Sequence, residues 1–494
     1  MKFLFCCEYY HPSRGGVQEV MRQIAERFVQ SGHDVTVATT RMAERESLNI
    51  NGVHIEEFNI HGNYVSGMTG EIDRYRSFIE TFPADAILIK AAQQWTFDAI
   101  WPSLDKIKAR KVFIPCGFSG LYLPQFASYF EKLPAIMRKF DHLIFYAEHY
   151  RDIDFARANG MTNFSVLSNG ASDIEFSSPL DKNFRTELGI PEKDFLFLTV
   201  GTPVNAKGHL EVLQAFAKMN LRGRKASLVL NGQWPVYARP EIQLTPAETA
   251  PLQVSQTIIM PPVIRMPKRP SLMQRAMVSM KRDGFAGFLR ILLAWLKYRV
   301  KDMQSVPARV FRKTHYRMRM KLANILAART KIQIAPPPPP PPVTIEDWCD
   351  AVEAQDNKKV FRTNLPRPQV VQAFLHADLF VFASHVEYSP IVLFEAAAAA
   401  TPFLTVPAGN AEEIIAKTRG GILCPADKDR FGYVRVDINT LAHHMETLMQ
   451  DDELCTKLGE AGRKAFQEKY NWAQIAKDYE RVLTGTSENL AAAS

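Results

Sequence analysis

The chain has 494 residues, 46% of them hydrophobic and 23% charged, which is typical of a soluble globular protein with more than one domain. Its six cysteines form no CxxC pair, which argues against a disulfide framework or a zinc site and favours reduced thiols in the cytoplasm. The net charge of +8 is local, because residues 261–335 carry 18 Lys and Arg against two acids and the rest of the chain is net negative.

The first part of the chain, residues 1–178, alternates short apolar segments with helical patterns. The opening KFLFCC has too few apolar residues for a signal peptide and predicts a buried strand. A helical pattern in VQEVMRQIAERFVQSG is followed by the apolar segments HDVTVAT, DAILIKAA, KVFIPCG, FDHLIFYA and FSVLSNG. This alternation predicts a doubly wound parallel sheet, and no apolar run is long enough for a transmembrane helix.

A second series of the same kind covers residues 179–232 and 358–470. Its strands are predicted in DFLFLTVG, KASLVLNG, KKVFRTN, DLFVFAS and FLTVP, with helices between them. A closing helix that returns toward the first domain is predicted over 471–486, and a disordered tail over 487–494. Two α/β domains of this kind predict a ligand cleft at the carboxyl ends of their strands.

Residues 233–357 do not fit the second sheet and are predicted to be an insertion. The segment contains basic amphipathic sequences such as FAGFLRILLAWLKYRV and ends in seven prolines, Pro336 to Pro342, which favour polyproline II. Basic helices with Trp and Phe predict contact of residues 261–335 with an anionic membrane surface. Helices packed on the second domain, or a clamp on an anionic glycan or partner protein, are the alternatives. Nothing resembles a base-reading module, so nucleic acid is not expected.

The segment EYSPIVLFE places two acids, Glu387 and Glu395, with seven residues between them. Ser389 suits an N-cap and Pro390 the first helical position, so a helix is predicted to begin there and to stop before Pro402. A helix amino terminus favours a phosphate group, and carboxylates nearby can accept hydrogen bonds from sugar hydroxyls. The pattern fits a nucleotide sugar. The alternative is two surface carboxylates on an alanine-rich helix.

Five further segments accompany these acids: HPSRGGVQEVMRQIAERFVQSGHDVTVAT, VLSNGASDIEF, VGTPVNAKGHLEVLQAF, GNAEEI and FQEKYNWAQIAKDYERVL. Together and in this order the segments resemble retaining GT-B glycosyltransferases of family four, the glycosyl transferases group 1. The resemblance covers most of the chain outside the insertion. It implies a GT-B fold, in which two Rossmann-like domains face each other across a cleft, here with a helical basic insertion in the second domain.

The resemblance also implies roles for individual residues. Glu395 would hold the donor ribose, and Glu387 would contact the transferred sugar. Lys207 would neutralise the departing phosphates, which makes Glu387 and Lys207 the candidate catalytic residues. The full donor-binding set implied is Gly15, Gly16, Lys207, Glu387, Ser389, Ile391, Val392 and Glu395.

Three of these residues also have structural explanations. Lys207 is alternatively a solvated loop lysine. Gly15 and Gly16 would bring backbone close to the donor phosphates and the acceptor, and they are alternatively part of a plain turn between strand and helix.

The chain departs from the family pattern at three places. Pro390 stands where relatives commonly have a glycine in the phosphate loop, which removes one N–H donor. Thr202 stands where relatives commonly have an arginine, so a second cation is missing, and His209 and Arg362 are the candidates for it. Cys116 stands where many relatives have a histidine on the acceptor side, and His11 is a candidate substitute.

No metal cofactor is expected. The triplets DID (Asp152 and Asp154) and DKD (Asp427 and Asp429) match a DxD pattern, but such triplets are common and the first lies in a predicted helix. In GT-B enzymes a lysine and helix amides take the place of the cation.

These observations predict an enzyme that transfers a sugar from a UDP- or GDP-linked donor, with retention, to a saccharide or lipid-linked acceptor in glycan or cell-envelope polysaccharide biosynthesis. The resemblance implies same-face substitution without a protein nucleophile. The expected location is the cytoplasmic face of a membrane. A GT-B-like binding or scaffold protein without transfer activity, and a sugar-nucleotide epimerase, are the alternatives.

Overall fold

The computed structural model describes residues 1–13, 15–234 and 344–486. Apart from residues 344–347, the described residues belong to one compact unit. The basic segment 261–335, the proline run and the predicted tail 487–494 lie outside the described residues.

The first half of the chain is built around an eight-stranded sheet. Its strands are β1 Lys2–Cys6, β2 Asp34–Thr40, β3 Asn49–Ile50, β4 Val53–Phe58, β7 Ala86–Lys90, β8 Arg110–Ile114, β9 His142–Phe145 and β10 Phe164–Val166; a small hairpin is formed by β5 Ile60–Asn63 and β6 Gly67–Gly70. The helices of this half are α1 Gly16–Gln30, α2 Ile72–Thr81, α3 Trp95–Asp98, α4 Ala127–Met137 and α5 Arg151–Ala158.

The order of the first sheet is β10-β9-β8-β7-β1-β2-β4-β3, and all neighbours are parallel except β3 and β4. The chain moves outward from β1 in one direction through β2 and in the other through β7. The boundary between β1 and β7 is therefore a topological switch point, where open α/β sheets bind ligands. Both strands are almost wholly buried, as their continuous apolar sequences KFLFC and AILIK require.

The second half contains a six-stranded parallel sheet of order β13-β12-β11-β14-β15-β16. Its strands are β11 Phe195–Val200, β12 Ala226–Asn231, β13 Lys358–Thr363, β14 Leu379–Phe382, β15 Phe403–Thr405 and β16 Gly421–Leu423; β17 Asp427–Lys428 and β18 Val434–Arg435 form a short hairpin. Its helices are α6 Phe184–Glu187, α7 His209–Lys218, α8 Ile345–Glu353, α9 Arg367–His376, α10 Ile391–Ala398, α11 Ala411–Thr418, α12 Ile438–Met449 and α13 Asp452–Glu468.

The last helix, α14 Trp472–Thr484, returns to the first half of the molecule. Its buried side chains, among them Trp472 and Tyr479, share one hydrophobic cluster with Phe5 and Leu88 of the first sheet. The chain therefore crosses between the halves twice, once before the second sheet and once after it.

The predicted fold class is confirmed, because the molecule consists of two Rossmann-like halves with parallel sheets. The second sheet resumes with β13 at Lys358, while the compact unit already continues from Trp348 and so includes most of α8, which falls within the predicted insertion 233–357. The reason is that Val352 on α8 is fully buried although its helix is short and partly acidic. Within the described ranges no helix has the length and apolar character needed to cross a bilayer.

Candidate active site

A cavity of about 380 Å³ lies between the two halves, at the carboxyl ends of central strands from both sheets. This is the position predicted for a ligand cleft. Seven of the eight predicted donor-binding residues line the cavity, and these are Gly15, Gly16, Lys207, Glu387, Ser389, Ile391 and Val392. Glu395 does not.

The two candidate catalytic residues are in direct contact. The Nζ atom of Lys207 lies 2.5 Å from Oε1 of Glu387, and the Ser384 hydroxyl donates to the same oxygen at 2.9 Å. Lys207 ends a short 3-10 turn that packs on the segment before Glu387. Gly208 permits this contact, because it has φ 75° and a Cβ there would lie 2.1 Å from the Ala383 carbonyl oxygen. The close pairing of Lys207 with Glu387 argues against a freely solvated lysine.

The amino terminus of α10 faces the cavity, but it begins one residue later than predicted. Pro390 is the N-cap and Ile391 the first helical residue, so the prediction that Ser389 caps this helix is wrong. The physical reason is that the proline ring fixes the backbone before the helix. The Ser389 hydroxyl is buried at the cavity and has no hydrogen-bond partner within the described part of the chain. The Ser389 carbonyl accepts a hydrogen bond from Asn169 Nδ2 at 2.9 Å.

The glycine loop of the first half approaches this helix. Gly15 is the N-cap of α1, and a Cβ on Gly16 would lie 3.6 Å from Cδ1 of Ile391. The glycines therefore bring the backbone before α1 next to the amino terminus of α10. Two helix amino termini from different halves face the same space, so both helix dipoles direct their positive ends toward it.

Glu395 lies behind the cavity instead of at its surface. Its carboxylate is buried and pairs with Arg367, whose Nη2 atom is 2.6 Å away. Arg367 also pairs with Glu175 at 2.7 Å, and Glu175 lies 3.6 Å from Arg22 of the first half. Burial raises the pKa of Glu395, and the guanidinium of Arg367 opposes that effect. The predicted contact of Glu395 with a ribose stays a prediction.

Tyr388 connects the segment that carries Glu387 to the first half. Its hydroxyl accepts a hydrogen bond from the Tyr146 N–H at 2.9 Å, and its ring stacks on Tyr150 with centroids 4.6 Å apart. The Tyr150 hydroxyl donates in turn to the Glu387 carbonyl at 2.5 Å. Asp152, which is buried, also hydrogen-bonds to Tyr388. These contacts fix the position of Glu387 relative to the first half.

Lys90 and Tyr146 are among the cavity residues that sequence reasoning missed. Lys90 is the last residue of β7 and is 1% exposed, with its Nζ atom 5.1 Å from the centroid of the Tyr146 ring. Burial lowers the pKa of Lys90 to about 8. The available signal was a lysine that ends an otherwise apolar strand, which is not distinctive.

The residues at which the chain departs from the family pattern are placed as follows. Thr202 and Cys116 both line the cavity. His209 cannot supply the second cation, because burial lowers its pKa to about 4 and leaves the imidazole neutral at pH 7. Arg362 is outside the cavity lining, with its guanidinium 5.7 Å from the Trp234 ring centroid. His11 does not line the cavity either.

The DxD triplets have structural roles. Asp152 accepts hydrogen bonds from the Gly117 N–H at 2.8 Å and from the Ile153 N–H at 2.9 Å. Asp429 accepts from two backbone N–H groups of the turn that follows it. In the part of the chain that the structure describes, no group of three or more His, Cys, Asp and Glu side chains is placed to hold a metal ion.

Two Rossmann-like halves with a ligand cavity between them define the GT-B fold. Solved structures agree: a sucrose-phosphate synthase from Thermosynechococcus elongatus has a TM-score of 0.60 at 14% identity, covering 100% of both chains. A glycosyltransferase from Rickettsia africae has a TM-score of 0.60 at 12% identity over 99% of both chains. Anabaena Alr3699/HepE, solved with UDP and glucose, has a TM-score of 0.57 at 13% identity, covering 98% of this chain and 100% of that one.

Part of the second half matches a particular protein family. Residues 342–465 match the family model described as glycosyl transferases group 1, so the chain carries a domain of that family. The chain is also similar to alpha-maltose-1-phosphate synthase of Mycolicibacterium smegmatis, at 32% identity over 127 residues. That match covers 25% of this chain and spans 32% of the length of the curated relative.

Proposed function

We propose that this protein is a retaining glycosyltransferase that moves a sugar from a UDP- or GDP-linked donor to a saccharide or lipid-linked acceptor in glycan or cell-envelope polysaccharide synthesis. The observation that carries the proposal is the contact between Lys207 and Glu387, inside the cavity and beside the amino terminus of α10. In this position the ammonium group can contact a phosphate and the carboxylate can accept hydrogen bonds from sugar hydroxyls, as binding of a nucleotide sugar requires.

The donor diphosphate is assigned to the amino terminus of α10. The N–H groups of Ile391 and Val392 are in the first turn, where helical N–H groups have no intrahelical partner. These groups and the helix dipole attract phosphate oxygens. The ammonium group of Lys207 adds a full positive charge next to them.

Transfer then proceeds with the following changes in bonding. The bond between the anomeric carbon and the phosphate oxygen breaks, and its electron pair stays on the phosphate. The acceptor hydroxyl oxygen bonds to the anomeric carbon on the same face, and its proton passes to the phosphate oxygen. Lys207 stabilises the negative charge that develops on the leaving group, an effect worth about 3 kcal/mol in comparable sites. Glu387 holds hydroxyls of the transferred sugar, and no metal takes part in this scheme.

One of the comparisons supports a nucleotide-sugar donor. The structurally similar Anabaena protein was solved in complex with UDP-glucose, with a TM-score of 0.57 and 13% identity.

The test is a panel of UDP and GDP sugars, each offered with saccharide and lipid-linked acceptors, in which release of nucleoside diphosphate and formation of product are measured. Lys207→Ala and Glu387→Gln are expected to lower kcat by about 100-fold or more. The exposed residues Lys193 and Glu460 provide matched controls, since Lys193→Ala and Glu460→Gln leave the cavity untouched. NMR of the product should show the anomeric configuration of the donor.

Other outcomes would select the alternatives. Tight donor binding without turnover for any acceptor would indicate a binding or scaffold protein. Isomerised sugar without transfer would indicate an epimerase. Loss of activity in Lys193→Ala as large as that in Lys207→Ala would remove the assigned role of Lys207.

Peripheral attachment to the cytoplasmic face of a membrane is also proposed, from the sequence alone. Residues 261–335 carry 18 Lys and Arg against two acids. Such a segment is attracted to anionic lipid, and the attraction weakens with salt. The full chain should float with anionic vesicles at low salt but not with zwitterionic vesicles; equal flotation with both would contradict this attachment.

A further inference from the structure

Lys90 occupies the position at which the first half is expected to contact a ligand. It is the last residue of β7, and β7 and β1 flank the switch point of the first sheet. Its side chain lines the cavity that contains Lys207 and Glu387, and the residue is 1% exposed. Neither the family match, which begins at residue 342, nor the motif pattern assigns it a role.

The charge of Lys90 is not balanced by the protein groups around it. Among the described residues, the Nζ atom of Lys90 lies near the Tyr146 ring, and the ionisable groups that affect its pKa are the thiols of Cys116 and Cys7. Burial raises the pKa of Cys7 to about 12 and also raises the pKa of Cys116, so both thiols are neutral at pH 7. Glu387, a carboxylate of the same cavity, is engaged by Lys207.

A second buried lysine, Lys358, has hydrogen-bond partners within the protein and provides the comparison for Lys90. Lys358 is 4% exposed, and its pKa is also lowered to about 8 by burial. Its Nζ atom donates to the carbonyl oxygens of Ala217 at 2.9 Å and Met219 at 2.8 Å. Lys90 has no such hydrogen bonds among the described residues. Since buried charges in proteins are normally paired or hydrogen-bonded, the missing partner of Lys90 is expected to come from a ligand.

We propose that Lys90 is the binding partner of an anionic group on the ligand, a phosphate or a carboxylate, at the first-half side of the cavity. The inference rests on the proposed function in that the ligand is taken to be a nucleotide sugar. The anion then has two possible sources, the donor diphosphate or a carboxylate on the transferred sugar. In the first case Lys90 provides the second cation that is missing at Thr202. In the second case it selects donors with an acidic sugar.

The experiment measures ligand binding by calorimetry in the full chain and in Lys90→Met, with Lys358→Met as the matched buried-lysine control. The probes are inorganic pyrophosphate, UDP, GDP, UDP-glucose and UDP-glucuronic acid. Lys90→Met is expected to weaken binding of the anion it contacts by about tenfold or more. If UDP or GDP binds more weakly, the diphosphate is the partner; if only UDP-glucuronic acid does, the sugar carboxylate is.

Thermal unfolding without ligand gives an independent readout. Lys90→Met should unfold at the same or a higher temperature, because it removes an unpaired buried charge. Lys358→Met should unfold at a lower temperature, because it removes the donor to the buried Met219 carbonyl and one of the two donors to the Ala217 carbonyl. Unchanged affinity for every probe in Lys90→Met, or destabilisation matching that of Lys358→Met, would overturn the proposal.

Failure of the proposed function is distinguishable from failure of this inference. If the wild type binds no nucleotide sugar but binds pyrophosphate, and Lys90→Met weakens that binding, the anion site stands without the transferase. If the wild type binds none of the five probes, the anion site is also refuted.

Discussion

Lys207 and Glu387 are 180 residues apart in the chain, yet their charged atoms are in contact. The pairing depends on Gly208, which lets the 3-10 turn approach the Ala383 carbonyl, and on Ser384, whose hydroxyl donates to the same Glu387 oxygen that Lys207 contacts. At the scale of residues, the candidate site is therefore a set of side chains fixed by their neighbours before any ligand arrives. Such preorganisation reduces the cost of binding and of charge development.

The sequence could predict residues of this site where a local motif exists, and could not where the partner is distant. Glu387 and Lys207 belong to motifs that occur along the chain in the same order as in the family it resembles. Glu395 belongs to a motif too, but no local pattern indicates that Arg367 would pair with its carboxylate. Lys90 was missed because its importance follows from the order of the strands, which sets β7 next to β1.

Asp98 carries a prediction about pH and stability. Its carboxylate accepts hydrogen bonds from the Tyr129 hydroxyl at 2.7 Å and the Tyr64 N–H at 2.9 Å, but burial raises its pKa from 3.8 to about 6. When folding raises the pKa of a carboxyl group, the protonated group contributes stability at a pH below its unfolded pKa. This contribution is lost as the pH rises through the folded pKa. As the pH rises from 4 to 6, ionisation of Asp98 should therefore lower the free energy of unfolding by roughly 3 kcal/mol in total.

The measurement is urea unfolding of wild type and Asp98→Asn from pH 4 to pH 6.5. Asparagine does not titrate, so the free energy of unfolding of the variant should increase relative to that of the wild type as the pH rises. Asp73→Asn, at a side chain that is 98% exposed, is the control for replacing an aspartate by asparagine at the surface. Parallel pH profiles for wild type and Asp98→Asn would refute the raised pKa.

At the scale of elements, α10 shows how far sequence signals locate a helix. Its end before Pro402 was predicted correctly, since the residue before proline avoids helical geometry. Its start was placed one residue early, because Ser and Pro both favour helix starts and the sequence does not decide between them. The later start changes the candidate site, since the Ser389 hydroxyl does not cap the helix and lies at the cavity.

Ser389→Ala should separate ligand binding from stability. Removing a hydroxyl that caps nothing should change the free energy of unfolding by no more than about 0.5 kcal/mol. Asp437→Ala is the contrasting variant, because the Asp437 carboxylate caps α12 by accepting from the Thr440 N–H at 2.9 Å, and its loss should cost about 1 kcal/mol.

Under the proposed function the Ser389 hydroxyl donates to a donor phosphate, so Ser389→Ala should bind UDP or GDP several-fold more weakly. Asp437→Ala should bind the nucleotide as the wild type does. A loss of stability in Ser389→Ala as large as that in Asp437→Ala would contradict the assignment of the helix start.

At the scale of the whole molecule, alternation of strands and helices was sufficient to predict two sheets and their order along the chain. It did not predict the polar contacts that join the halves, because these are made by individual side chains at loops and helix starts that are distant in sequence. Asn410 Nδ2 donates to the Tyr146 carbonyl at 3.0 Å, and Arg151 donates to the Phe431 carbonyl. Together with Tyr388 and Asn169 these residues join the halves around the cavity.

Glu413 at the start of α11 provides a direct test of this joint. Its carboxylate accepts hydrogen bonds from the N–H groups of Glu148 at 3.0 Å and His149 at 3.1 Å, which belong to the first half. Glu412 is exposed and lies in the same helical turn, so it has a similar interaction with the helix dipole but lacks these hydrogen bonds. The pair therefore isolates the contact between the halves from the effect of charge at the helix start.

Glu413→Ala should let the halves separate more readily, since two backbone N–H groups of the first half lose their acceptor. The expected results are a larger radius of gyration in small-angle scattering and weaker donor binding, with added donor reducing the difference in size. Glu412→Ala should match the wild type in both measurements. Equal radii of gyration for the two variants would show that the halves are held by the remaining contacts. In that case the cavity would keep its shape without Glu413, because the tyrosine and asparagine contacts nearer to Glu387 would be sufficient.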